Sequence, residues 1–178
     1  MPTAHLIAGL PCSGKTTYAV GLRADAGCVL ISLDRWLITL FEKYSIESVG
    51  HEEHTRRVLA CRELIWDVAS EFLRRSVDVI LDDGFFLRDN RVRYVELAHA
   101  LGASAKIHFM DTPIGVIRTR LAKRNADLPQ YNFRIEPEML AGFLSLFEVP
   151  TDHEGAQVVV VHNFKKPDST ALMPNGPI

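Results

Sequence analysis

The sequence has no apolar run approaching the ~20 residues needed to cross a bilayer as a helix. It has few cysteines, three in 178 residues, and almost no excess charge, with 20 Lys and Arg against 22 Asp and Glu. The first absence argues against a membrane-spanning helix. Cys12, Cys28 and Cys61 form an odd set without the spacing of a metal knuckle or a disulfide framework. They are expected as reduced thiols in a cytoplasmic protein. A net charge of -2 removes the global polycation that a high-affinity nucleic-acid binder presents, leaving only local basic patches. Met1-Pro2-Thr3-Ala4 lacks the basic start and long apolar core of a secretory leader. No repeat or low-complexity tract interrupts the chain. What remains is a chain 47% hydrophobic, ample for one domain with a real core.

The most informative stretch is Gly9-Leu10-Pro11-Cys12-Ser13-Gly14-Lys15-Thr16, which follows the apolar run His5-Leu6-Ile7-Ala8. It fits G-x-x-x-x-G-K-[ST], the phosphate-binding loop, at every fixed position. Glycines at both ends let the backbone turn sharply and bring its N–H groups to phosphate oxygens. A helix starting near Gly14 adds the partial positive charge of its N-terminus. Lys15 can reach the β- and γ-phosphates, and the Thr16 hydroxyl can bind a bridging Mg²⁺. With Thr17 one step into the helix, Gly9 to Thr17 form the expected nucleotide-contacting set. The expected ligand is a nucleoside triphosphate.

Strands and helices alternate along the rest of the chain. The first helix is expected to run to about Ala26 and stop at Gly27. Residues 28–33 and 77–81 are continuous apolar runs, as buried parallel strands show. Residues 105–110 and 157–161 complete five strands. Helices are expected over about 52–75, 90–101 and after Pro113 and Pro137, with Thr112 as N-cap of the third. A β-α alternation means a parallel sheet with helices on both faces, and ligands then sit beyond the carboxyl ends of the strands. The residues expected there are the phosphate loop, Asp34, Asp82-Asp83 and Asp111. The tail from residue 165 is expected to be mobile.

Asp82 ends an apolar run, where a carboxylate can hold the Mg²⁺ opposite Thr16 and beside the substrate; a plain polar turn residue is the alternative. Asp34 can orient a substrate hydroxyl and accept its proton, or merely cap the helix that follows. Arg120 and Arg124 lie one turn apart on a helix, a pair that repels unless an anion sits between them. They fit a polyphosphate or a solvated basic face. His51-Glu52-Glu53-His54 has spacing three rather than four and reads as a solvated helix start.

Taken in order, Gly9–Thr16, Asp34-Arg35, Leu81-Asp82 followed by Arg88 and Arg91, and Arg120-Leu121-x-x-Arg124 resemble one branch of the phosphate-loop kinases. That branch includes the kinase domain of polynucleotide 5′-hydroxyl kinases, chloramphenicol phosphotransferase and zeta-toxin sugar-nucleotide kinases. Residues 147–155 also resemble a stretch common in its uncharacterised bacterial members. The resemblance covers roughly residues 4–163. It implies an α/β, three-layer α/β/α P-loop NTPase fold of adenylate-kinase type. Its five-stranded parallel sheet would have the order 2-3-1-4-5, within a kinase domain over residues 1–164. It further implies ATP-Mg²⁺ as donor and Asp34 as the acceptor-activating base. Arg120 and Arg124 would belong to a lid at about 115–135, and Arg35 and Arg91 would contact the acceptor. Leu37, Ile38 and Thr39 stand where polynucleotide kinases carry a further arginine, and Asp83-Gly84 replaces smaller or hydroxyl residues. The expected activity is therefore phosphoryl transfer to a hydroxyl of a small molecule. The alternatives are a polynucleotide 5′-hydroxyl kinase and a regulatory NTPase without an acceptor. Trp36 beside a basic channel of Arg56, Arg57, Arg62, Arg74 and Arg75 would favour nucleic acid; a walled pocket would favour a small acceptor.

Overall fold

In the computed structural model, residues 1–162 are described; the expected mobile tail lies outside them. Five strands, β1 (Thr3–Ala8), β2 (Val29–Ser32), β3 (Val79–Gly84), β4 (Ser104–Met110) and β5 (Gln157–Val161), form one sheet. Its order is β2-β3-β1-β4-β5 with every pairing parallel, as the resemblance implied. The helices are α1 (Lys15–Ala26), α2 (Leu33–Phe41), α3 (Ile46–Val49), α4 (His51–Arg74), α5 (Arg88–Ala100), α6 (Ile114–Ala126) and α7 (Pro137–Leu146). A short 3₁₀ turn spans Asp152–Glu154.

The sheet is buried on both faces, which is why its central strands read as unbroken apolar runs. Leu6, Ala8, Leu81 and Ile107 face one layer with Leu37, Cys61, Ile65 and Val95 from α2, α4 and α5. Ile7, Ile80 and Met110 face the other with Ala19 of α1. A third cluster joins Ile117 and Leu121 of α6 to Leu140 of α7, packed against Leu10 and Cys12 of the phosphate loop. This cluster sets α6 over the carboxyl edge of the sheet.

Three local expectations shift. The run 28–33 does not stay extended to its end, because Leu33 and Asp34 already belong to α2. Thr112 does not cap α6; Pro113 is the cap residue, and the Thr112 hydroxyl donates instead to the Ser13 carbonyl at 3.0 Å. Val68 is 37% exposed because the stripe of α4 that enters the core runs Cys61, Ile65, Ala69 and Leu73 at spacing four. Gly27 ends α1 as expected, at φ 66° with its N–H on the Arg23 carbonyl.

Candidate active site

In the order β2-β3-β1-β4-β5 the crevice lies between β1 and β3, the two central strands whose onward connections diverge. The phosphate loop leaves β1, and Asp82 and Asp83 close β3. A cleft of about 650 Å³ occupies this edge, lined by the loop from Pro11 to Thr17, by Asp34, Asp82 and Asp83, and by Arg120 and Arg124.

Backbone geometry explains the glycines of the loop. Gly9 sits at φ +153°, and a Cβ there would come within 2.9 Å of both Met110 Cβ and Ser13 Oγ. Gly14, at φ 99°, opens α1. The Lys15 ammonium folds back to donate to the Gly9 carbonyl at 3.0 Å and the Leu10 carbonyl at 2.8 Å. Burial lowers its pKa, with Asp82 and Asp34 working against that shift. Cys12, which also lines the cleft, has its thiol pushed up by burial despite Arg124, Lys15 and Arg120 nearby. It is not an activated nucleophile.

The Thr16 hydroxyl donates to Asp82 Oδ2 at 2.7 Å, across 66 residues of sequence. The fold therefore brings together the two oxygens expected to share a metal. Asp83, the neighbouring carboxylate, turns to the other side and takes both arms of Arg62, each at 2.7 Å. Only Asp82 of the pair faces the loop.

Asp34 lies in the first turn of α2; Ser32 is the N-cap, so Asp34 is not a capping residue. Its carboxylate opens into the cleft, where water reaches it but protein walls enclose it. Desolvation by those walls raises its pKa to about 6; Lys15 opposes the rise, and Asp82 and Asp83 add to it. Arg120 reaches down from α6 to the carbonyls of Cys12 at 3.5 Å and Ser13 at 3.3 Å. Arg124, one turn on, donates to the Phe133 carbonyl at 3.3 Å, while its buried Nε has no hydrogen-bond partner.

Residues 5–150 match the family model described as an AAA domain. The chain belongs to this family. No curated protein sequence matches it. Among solved structures, this AAA-domain protein is similar to a Chloroflexus aurantiacus protein assigned as a kinase without a stated substrate. That pair shares 18% identity and a TM-score of 0.70, over 90% of this chain and 88% of that one. It is similar to Kti12 of Chaetomium thermophilum in complex with ADP-AlF3, at 17% identity and TM-score 0.68, over 89% and 88% of the two chains. A gluconokinase from Sinorhizobium meliloti matches at 17% identity and TM-score 0.62, over 93% and 85%. These likenesses establish a P-loop kinase-like fold.

Two residues expected at the acceptor lie elsewhere in this AAA-domain protein. Arg91 projects inward from α5 and is fully buried, gripping Glu154 through Nε at 2.6 Å and Nη2 at 2.8 Å. Its Nη1 donates to the carbonyls of Phe85 and Phe86. It cannot reach the cleft, because the capping box of Thr151 and Glu154 locks its partner in place. Arg35 is exposed, and its guanidinium lies 5.1 Å over the Tyr131 ring, outside the cleft lining. Asp111 also stays out, 3.3 Å from His162 beyond β4.

The apolar part of the cleft lining was not legible as a site. Leu37, Ile46, His54, Val58, Phe133 and Phe143 line it, and Tyr44 holds His54 Nδ1 at 3.0 Å. His54 belongs to the segment read as a solvated helix start; the Tyr44 contact, ten residues away, is what turns it inward. Arg62, expected as one side of a basic channel, instead lines the cleft and pairs with Asp83 outside its own helix.

Proposed function

We propose that this protein is an ATP-dependent kinase that transfers the γ-phosphoryl group to a hydroxyl of a small-molecule acceptor. The observation that carries the reading is a carboxylate, Asp34, that opens into the same cleft as Lys15, Thr16 and Asp82 of the phosphate-binding edge.

In this reading the amides of Gly9 to Thr17 cradle the phosphates, and Lys15 leaves its two carbonyls to meet the β- and γ-oxygens. Thr16 Oγ1 and Asp82 Oδ2 are hard oxygen donors 2.7 Å apart, a set that fits Mg²⁺. Thr16 and Asp82 would hold the ion, which would supply charge neutralisation to the phosphate groups. Asp34 orients the acceptor hydroxyl and takes its proton as the new P–O bond forms. The transition state is loose, so orientation contributes more than basicity. Arg120 and Arg124 stabilise charge on the transferring group, and α6 with the 127–136 segment acts as the lid.

A small acceptor is favoured over a polynucleotide by the arginines of α4. Arg56 and Arg57 pair with Glu53, Arg74 and Arg75 with Glu71, and Arg62 with Asp83, so among the described residues these five do not line an open basic channel. Trp36 packs against the core instead of offering a stacking face. The test is ATP turnover with Mg²⁺ against pooled nucleosides, sugars, antibiotics and 5′-hydroxyl oligonucleotides. Stimulation by one small-molecule pool is expected. Stimulation by the oligonucleotides alone would move the assignment to a polynucleotide kinase, and none by any pool would remove the kinase reading.

A further inference from the structure

At the opposite edge of the sheet, away from the cleft, the starts of β1, β2 and β3 bring His5, Cys28 and Asp78 together. Cys28 directly precedes β2 and Asp78 directly precedes β3, while His5 points from β1 into the layer shared with α1. One ligand-capable atom from each of the three lies within 4.8 Å of the others. His5 is 7% exposed and its Nε2 has no hydrogen-bond partner. A buried imidazole nitrogen left without a partner is costly in a core otherwise apolar.

The other ring nitrogen is fully engaged. His5 Nδ1 lies 2.9 Å from His108 Nε2, and His108 Nδ1 lies 2.8 Å from the Tyr18 hydroxyl. If His5 Nδ1–H donates to His108 and His108 Nδ1–H donates to Tyr18, both rings are neutral and His5 Nε2 is a bare lone pair. That chain has the form of the outer shell behind a metal-binding histidine, in which the far N–H is held to fix the tautomer. On the opposite side Asp78 is also pre-positioned. Its Oδ1 takes the Thr3 N–H at 2.8 Å, leaving Oδ2 facing His5 Nε2 at 3.9 Å. That is too long for a hydrogen bond, and only about 0.5 Å wider than the separation of two ligands on one tetrahedral ion.

We propose that His5 Nε2, Cys28 Sγ and Asp78 Oδ2 form a Zn²⁺ site that ties the starts of the three strands together. One nitrogen, one sulfur and one carboxylate oxygen suit a borderline-soft, tetrahedral ion. The Asp78 side chain is 35% exposed, so a water can complete the fourth position. On binding, the Cys28 S–H bond breaks, its proton goes to solvent and the sulfur's electron pair forms the Zn–S bond.

The test uses the full chain, stripped with chelator and titrated with Co²⁺ alone, then with Zn²⁺. One Co²⁺ per chain is expected to give a near-ultraviolet thiolate charge-transfer band with tetrahedral visible bands, displaced by Zn²⁺. The band reports only sulfur ligation, so Co²⁺ held by oxygens at Thr16 and Asp82 does not mimic it. It should vanish in Cys28→Ser and survive in Cys12→Ser. Asp78→Asn keeps an oxygen for the Thr3 N–H and should weaken Zn²⁺ binding at least about tenfold. Zn²⁺ should raise the melting temperature of the native protein and leave that of Cys28→Ser unmoved. Absence of the band, or its persistence in Cys28→Ser, would overturn the site.

Discussion

An aspartate with its pKa raised to about 6 by desolvation is costly to the fold, and in the proposed reaction it is the group that takes the acceptor's proton. Asp34 binds its proton more tightly in the folded protein than in the unfolded chain. Its ionisation therefore removes stability as pH rises from about 4 to 6. Asp34→Asn is expected to raise the melting temperature at pH 7.5, with the gain shrinking to nothing below about pH 4. The same change should lower acceptor phosphorylation by about 10²–10⁴-fold with ATP binding kept, and should remove the acid limb near pH 6 from the rate profile. Paired thermal melts and pH–rate profiles check both halves. Gly9 is the second residue whose role is set by geometry, since a methyl group meets Met110 and Ser13 at 2.9 Å on a backbone that L-residues rarely adopt. Gly9→Ala should cost about 1–3 kcal/mol of stability and weaken nucleotide binding, measured by denaturant melts and calorimetry. Both residues were legible in the sequence, because a fixed-spacing motif and a strand-end carboxylate carry their own chemistry. Arg91 was not. An arginine seven residues beyond an Asp-Asp-Gly strand end looks the same whether it faces a ligand or a glutamate 63 residues away.

That distant pairing is a property of elements. The stretch from Phe147 to Gly155 has no apolar periodicity to show what it packs on, yet its Thr151–Glu154 capping box delivers a carboxylate into the core beneath α5. Both side chains of the Arg91–Glu154 pair are wholly excluded from solvent. Removing one partner strands the other, so Arg91→Ala should destabilise by about 3–5 kcal/mol. Replacing both, as Arg91→Met with Glu154→Leu, should recover most of that loss, because apolar groups of similar size avoid the desolvation of two ions. Urea melts of the two variants decide it. ATP affinity should move in neither, since the pair lies outside the cleft. The start of α2 shows the same limit of sequence reading. Leu33 completes an apolar run by composition, but the helix begins there and carries Asp34 into the cleft lining.

For the molecule as a whole, the sheet order and the cleft follow from one regularity. Apolar runs alternate with amphipathic segments, and whatever follows each run lies at one edge. That rule placed the phosphate loop, Asp34 and Asp82 in a single cleft from the chain alone. It failed for Asp111, because β4 ends on the far side of β1 from the crevice. The rest of the cleft lining, with His54, Phe133 and Phe143, is assembled from α4, α7 and the segment before α7. No local pattern announces such a surface, and it is where acceptor choice would reside. His54→Ala is expected to raise the acceptor KM while leaving that for ATP unchanged, measured once an acceptor is in hand. The central claim is that the γ-phosphoryl group leaves ATP for an acceptor hydroxyl under the control of Asp34. Phosphorus NMR of a reaction with Mg²⁺-ATP and the stimulating acceptor pool follows that group directly. A new phosphomonoester signal, growing with ADP and lost in Asp34→Asn, is the predicted result. Inorganic phosphate as the sole product, formed equally by both proteins, would contradict the account.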